Sequence, residues 1–196
     1  ALGIYDGEEQ VRVEGMSMRV YSGDERIALE LSMDSPTATL RLEENRAFSD
    51  DAIEITGGNF KISGVGWEWS GESREIIVKS DTVVTFTQGI AGAFQNIDNQ
   101  SSIAPSTKIQ SQRLLLRTNK EAYYFEFSGN VDAASDQMEL YCEQLIARAD
   151  PPQGRESGVP TNAPNKLESI HEMIAHENVV IRQRGKSVRG NKAKFF

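Results

Sequence analysis

Residues 178–196 carry six basic and no acidic side chains, the densest concentration of chemistry-bearing groups in the chain. The six are Arg182, Arg184, Lys186, Arg189, Lys192 and Lys194. Arg182 and Arg184 alternate with Ile181, which reads as one wet face of a strand, because successive strand side chains point to opposite sides. A guanidinium fork also matches phosphate bidentately, so the two arginines are candidates for holding an anionic ligand. The rest of the chain has the opposite sign: residues 1–100 hold 8 basic and 18 acidic side chains. An acidic body lacks the basic face that nucleic-acid binding needs, so no nucleic-acid partner is expected.

Other groups that could do chemistry carry weaker signals. His171-Glu172-Met173-Ile174-Ala175-His176 invites comparison with the zinc-protease motif, but its histidines are five apart rather than four. That spacing does not place them on one helical face, and with only two histidines in the chain no metal is expected. Cys142 alternates with Met138 and Leu140 and reads as a small core residue; as the single cysteine it forms no internal disulfide. Gly64-Val65-Gly66 lacks the third glycine and the strand-then-helix setting of a dinucleotide site. A glycosidase-like carboxylate pair could hide among the acidic residues, but most of these, such as Asp50-Asp51, read as solvated turns. No catalytic residue and no cofactor is expected.

The elements that must position these groups read as strands. Leu29, Leu31 and Met33 alternate with polar residues; so do Ala38, Leu40 and Leu42, then Ile53 and Ile55, then Phe60 and Ile62. Val65, Trp67 and Trp69 follow, then Ile76 and Val78, then Val84 and Phe86. Period-two alternation over four to six residues, broken by turn residues, marks half-buried strands. The pattern resumes at Leu114-Leu115-Leu116 and continues through Tyr123, Phe125, Phe127, Met138, Leu140, Cys142, Leu145 and Ala147. It returns at Ile170, Ile174, Val179 and Ile181, although residues 167–175 could alternatively form a short helix. Two long loops interrupt the series, a Gly-, Ser-, Asn- and Gln-rich one at 90–112 and a proline-rich one at 150–166. The expected architecture is all-β, with residues 1–196 forming a single domain. The hydrophobic share of 38% and mean hydropathy of −0.46 suit a sheet with one wet face. No run approaches the roughly 18 apolar residues of a membrane span.

A unit repeats within this pattern. Ser128-Gly129-Asn130-Val131 and His176-Glu177-Asn178-Val179 share an Asn-Val pair, and Ser80-Asp81-Thr82-Val83 is a weaker copy. Read as turn, strand, turn, strand, such units cannot bury their apolar faces alone and must stack.

On these residues the chain resembles the OstA-like family, the periplasmic lipopolysaccharide-transport proteins of the LptA and LptC type. Residues 175–196 fit the family repeat through Asn178, Val179, Gly185, Gly190 and Ala193; residues 127–147 fit through Gly129, Asn130, Val131 and Leu145. Residues 52–87 are more loosely similar to the membrane-proximal member of that system. The resemblance implies a β-jelly roll, or rolled open antiparallel sheet, whose interior holds acyl chains. It implies lipopolysaccharide as partner through its lipid A, and other OstA-like components joined by edge-strand addition. Head-to-tail homo-oligomers and a periplasmic location, with or without a membrane anchor in a longer precursor, follow from the same likeness.

Such a carrier needs a concave apolar face and no covalent chemistry. The inward set expected to line it is Leu29, Leu31, Ile53, Ile55, Ile62, Trp67, Trp69, Phe86, Leu116, Phe125, Leu140, Val179 and Ile181, with Arg182 and Arg184 meeting lipid A phosphates at the mouth. Burying acyl chains gains about 0.8 kcal/mol per methylene, enough to hold a lipid without many polar contacts. The same alternation would equally build a closed sandwich core. Two other readings therefore stay open: a carbohydrate-active β-sandwich enzyme with a carboxylate pair, and a structural envelope-assembly domain without lipid.

Overall fold

The computed structural model describes residues 3–5, 10–22, 28–87, 106–119, 122–135, 138–150 and 170–195. Among them the chain is strand and turn, with no helix. In chain order the strands are β1 (Gly3–Tyr5), β2 (Gln10–Ser22), β3 (Ala28–Arg41), β4 (Arg46–Thr56), β5 (Phe60–Ser70) and β6 (Glu75–Phe86). They continue as β7 (Thr107–Ser111), β8 (Arg113–Thr118), β9 (Tyr123–Ala134), β10 (Met138–Ala149), β11 (Ile170–Gln183) and β12 (Lys186–Phe195). All neighbours pair antiparallel in one sheet, ordered β1-β2-β3-β4-β5-β6-β7-β9-β10-β11-β12. β7 and β8 are separated only by Gln112, and both lie between β6 and β9, so together they occupy one strand position. The all-β architecture expected from the alternation is observed, and the single antiparallel sheet is consistent with the β-jelly roll that the resemblance implies.

The strands are longer than the sequence units suggested. Phe60, Ile62, Val65, Trp67 and Trp69 read as two short strands and lie on one, β5. The connection read as 90–112 is shorter, because β7 fills Thr107–Ser111 with its alternate residues Thr107, Ile109 and Ser111 buried. Residues 88–105 and 151–169 lie outside the described residues. Ile170–Ala175 belong to β11, so the helical alternative does not hold there.

What joins two short units into one long strand is a bulge. Register breaks fall near the middle of the β3–β4, β4–β5, β5–β6, β9–β10 and β11–β12 ladders, at Asp34/Thr39, Ser49/Ala52, Ser63/Val65, Cys142/Gln144 and His176/Val179. The repeat read as a turn sits on this line, inside strands β6, β9 and β11. Asp81, Asn130 and Asn178 have φ of 52°, 50° and 54°, the left-handed region that Asn and Asp enter more easily than other L-residues. Their side chains are short enough to bond locally, which is why the motif carries Asn or Asp there. The inward positions on either side are four residues apart instead of two: Val78 and Thr82, Phe127 and Val131, Ala175 and Val179. Thr82, not the half-buried Val83, occupies the place of Val131 and Val179.

A bulge bends its strand and sharpens the twist. With bulges aligned across successive strands, the sheet folds over so that its two halves face each other. The aromatic core shows the contact. Phe86 lies in the part of β6 that pairs with β7, whereas Phe125 lies in the part of β9 that pairs with β8. Their rings nevertheless meet edge to face at 5.2 Å, and Phe60 meets Phe125 in the same way at 5.4 Å. Contacts of this kind contribute about 0.5–1.5 kcal/mol each beyond the area they bury.

Because Asn130 is exposed, its backbone conformation can be tested apart from packing. Asn130→Val should lose about 1–2 kcal/mol in chemical denaturation, while Asn130→Gly should be neutral or stabilising. Equal stability of the two variants would remove the left-handed bend as the reason for the residue.

Candidate functional site

The interior between the two halves is not one continuous hollow. Its middle is closed by the protein's own side chains: Ile53, Ile55, Ile62, Trp67, Phe86, Phe125, Leu140 and Val179 are all buried there. Trp67 is tied as well as packed, its Nε1 donating to Ser35 Oγ at 3.1 Å. Burial then fades toward both ends of the strip. Val13, Met18, Val20 and Leu40 on β2 and β3, and Ile181, Ala193 and Phe195 on β11 and β12, are only partly covered.

Near the β2–β3 end the two halves part to leave a cleft of about 190 Å³. Leu31, Ile76 and Leu116 are buried against it, and Trp69 lies half-buried beside them. Val20 and Tyr21 from β2 flank the cleft, while Asn45, Arg74 and Thr118 supply its polar lining. The turns carrying these polar groups are braced to one another. Gly71 N–H donates to Asn45 O at 2.9 Å, and Thr118 N–H donates to Arg74 O at 3.1 Å. A Cβ at Gly71 would lie 2.2 Å from the Asn45 amide nitrogen, so any larger residue there would push the exposed Asn45 side chain aside. The result is an apolar recess rimmed by hydrogen-bonding groups, a form suited to an aliphatic chain bearing a polar end.

Three of the residues expected to line a lipid site, Leu31, Trp69 and Leu116, thus come together on this cleft. Ile181 sits half-buried at the far end of the sheet, and the side chain of Leu29 lies outside the described residues. Arg182 and Arg184 do not line the cleft. They border a separate open hollow of about 430 Å³ around the β11–β12 hairpin, with Ser135, Met138, Glu139 and Lys186. Arg182 is already engaged there, 3.7 Å from a Glu139 carboxylate oxygen and 5.2 Å over the Tyr141 ring. The arginine that lines the cleft, Arg74, lies in a turn, outside any alternating run.

The remaining candidates resolve locally. Cys142 is buried and its thiol is pushed up to about 11, first by burial and then by the Glu143 charge, so it is a protonated core group at neutral pH. His176 lies on extended strand β11, and no group of three His, Cys, Asp or Glu side chains able to hold a metal occurs among the described residues. Asp132 has its carboxyl raised above the ordinary 3.8, chiefly by burial and then by Glu139, with Lys108 opposing. These two carboxylates lie diagonally on the face of β9 and β10 that points away from the core, not in the interlayer cleft.

Against known proteins, residues 19–86 match the LptC family model, described as lipopolysaccharide-assembly, LptC-related. This stretch is similar to the lipopolysaccharide-assembly proteins that the model describes. The LptC-related stretch runs from Arg19 in β2 to Phe86 in β6 and covers all but the last residue of the segment 52–87, which resembles the membrane-proximal member. It also contains Leu31, Asn45, Trp69, Arg74 and Ile76, one wall and most of the rim of the cleft. Leu116 and Thr118 on β8 complete the cleft from beyond it. No helix among the described residues is long and apolar enough to cross a membrane. No curated protein matches the chain.

The raised Asp132 carboxyl gives a signed pH dependence. The folded chain holds this proton more tightly than the unfolded one, so the associated stability is present at low pH and is lost as pH rises through and above 3.8. Asp132→Asn should raise the melting temperature at pH 7 and leave it nearly unchanged at pH 3. A lower melting temperature at pH 7 would contradict that assignment.

Proposed function

We propose that this chain binds lipopolysaccharide through its acyl chains and hands it on across the periplasm during outer-membrane assembly, without covalent chemistry. The observation that carries the reading is the interlayer cleft, whose apolar floor is built by Leu31, Trp69, Ile76 and Leu116, largely from the LptC-related stretch. Acyl chains need little more than such a surface, since about 0.8 kcal/mol is gained per buried methylene. The inward residues closed off in the centre extend this apolar surface between the halves. Lipid entering at the cleft would part the layers along Trp67, Phe86 and Phe125, exchanging side-chain contacts for chain contacts.

Transfer needs a neighbour as well as a ligand. β12 lies at the end of the sheet order, with only β11 as a described neighbour, and its Val188 is 62% exposed. A free ladder edge with an uncovered apolar side chain recruits another strand. We assign this edge, and β1 at the opposite end, to joining other transport components or further copies head to tail. The basic β11–β12 hairpin, with Arg182 and Arg184, would meet lipid A phosphates near that joint.

A photoreactive phenylalanine analogue at Trp69 should cross-link to lipopolysaccharide in cells, whereas the same group at outward-facing Glu126 should not. Absence of the Trp69 product, or equal yield at Glu126, would overturn the cleft as the lipid site. Arg182→Glu with Arg184→Glu should weaken lipopolysaccharide capture several-fold with little change in melting temperature, because exposed ion pairs contribute only about 0–1 kcal/mol. Undiminished capture would remove the hairpin from the binding surface.

A further inference from the structure

We propose that Arg74 is the head-group anchor of the interlayer cleft, holding the phosphate or carboxylate of an anionic amphiphile whose chain lies on Leu31, Trp69, Ile76 and Leu116. This rests on the lipid reading above and names the chemistry that reading leaves open.

The first observation is electrostatic. Around Arg74 the neighbouring cations are spoken for: Arg117 binds Glu75 at 2.7 Å, Arg46 lies near Glu44 and Glu68, and Arg41 near Glu44. Arg74 is exposed on the cleft and makes no ion pair among the described residues, although the first hundred residues carry ten more acidic than basic groups (18 − 8). An arginine left unpaired in so acidic a surface is available to an anion arriving from outside. The guanidinium presents a planar fork that grips phosphate or carboxylate bidentately, and Thr118 beside it offers a hydroxyl.

The second observation is conformational. Arg74 has φ of 54°, a left-handed backbone that Gly or Asn would adopt with less strain. Its carbonyl accepts the Thr118 N–H, fixing the turn to the strand that supplies Leu116. Packing does not account for an arginine here, since its side chain is exposed, and the residue lines the cleft. The cleft's size sets a limit on the ligand. At about 190 Å³ it is below the roughly 300–1,000 Å³ of common small-molecule pockets, so it admits one chain rather than several.

The test compares dodecyl phosphate below its micellar concentration, dodecanol and inorganic phosphate, with binding to the full chain followed by calorimetry. Arg74→Asn, which suits the left-handed backbone, should weaken dodecyl phosphate binding about tenfold, the scale of a charged hydrogen bond. Arg74→Lys should restore part of the loss, and dodecanol should bind wild type and variants alike. Unchanged dodecyl phosphate binding by Arg74→Asn would overturn the anchor, as would inorganic phosphate alone displacing the amphiphile at equal concentration. If lipopolysaccharide still cross-links from Trp69 in that case, only the anchor falls. If wild type takes up neither dodecyl compound nor lipopolysaccharide, the lipid reading falls with it.

Discussion

The line of bulges across the sheet is the constraint on which the rest of the molecule depends. A regular antiparallel strip of this many strands would twist but leave one apolar face open to water. Breaking register at the middle of successive ladders bends the strands in concert, so one half of the sheet covers the other. Asn130 and Asn178 accept the left-handed backbone, and the inward side chains resume on the correct face four residues after the last one. Without that spacing a one-residue slip would turn Val131 or Val179, and everything after it, toward solvent.

Folding the strip on itself explains the gradient of burial. The central strands β5 to β10 have neighbours on both sides and another layer opposite, and Phe60, Phe86, Phe125 and Phe127 pack there to exclusion of water. The strands near the ends have fewer neighbours. Their inward residues, Val20 and Leu40 on one side and Ile181 and Phe195 on the other, remain partly uncovered. The cleft beside Trp69 is a product of this incomplete closure rather than a cavity cut into a finished core. Its position between layers gives it an apolar floor, and its position among hairpin turns gives it a polar rim.

Charge is laid over this frame in two ways. On the acidic part of the surface Arg41, Arg46, Lys61 and Lys79 pair with carboxylates, whereas Arg12, Arg19 and Arg74 make no ion pair among the described residues, and of these three Arg74 lines the cleft. At the opposite end residues 178–196 carry basic and no acidic side chains, and the described partners of Arg182 and Lys194 are Glu139 on β10 and Glu172 near the start of β11. A ligand with both acyl chains and phosphates could therefore be met by apolar surface and cationic groups at two separate places on one sheet.

Strand character, the wet and dry faces, the buried role of Cys142 and the family likeness were legible in the sequence, because each rests on local alternation or on a short run of residue types. Three residues of the cleft, Leu31, Trp69 and Leu116, were legible as inward for the same reason. Which inward residues would be sealed and which would stay open was decided only by the folded sheet, since period-two patterning records the face of a strand and not what lies opposite it. The Asn-Val repeat was visible, yet its meaning as a bend inside a strand required backbone angles; a turn residue and a bulge residue are chosen by the same left-handed φ. Arg74 was invisible as a site residue because it joins the cleft through hairpin geometry, which brings β2–β3, β5–β6 and β8 together across the fold.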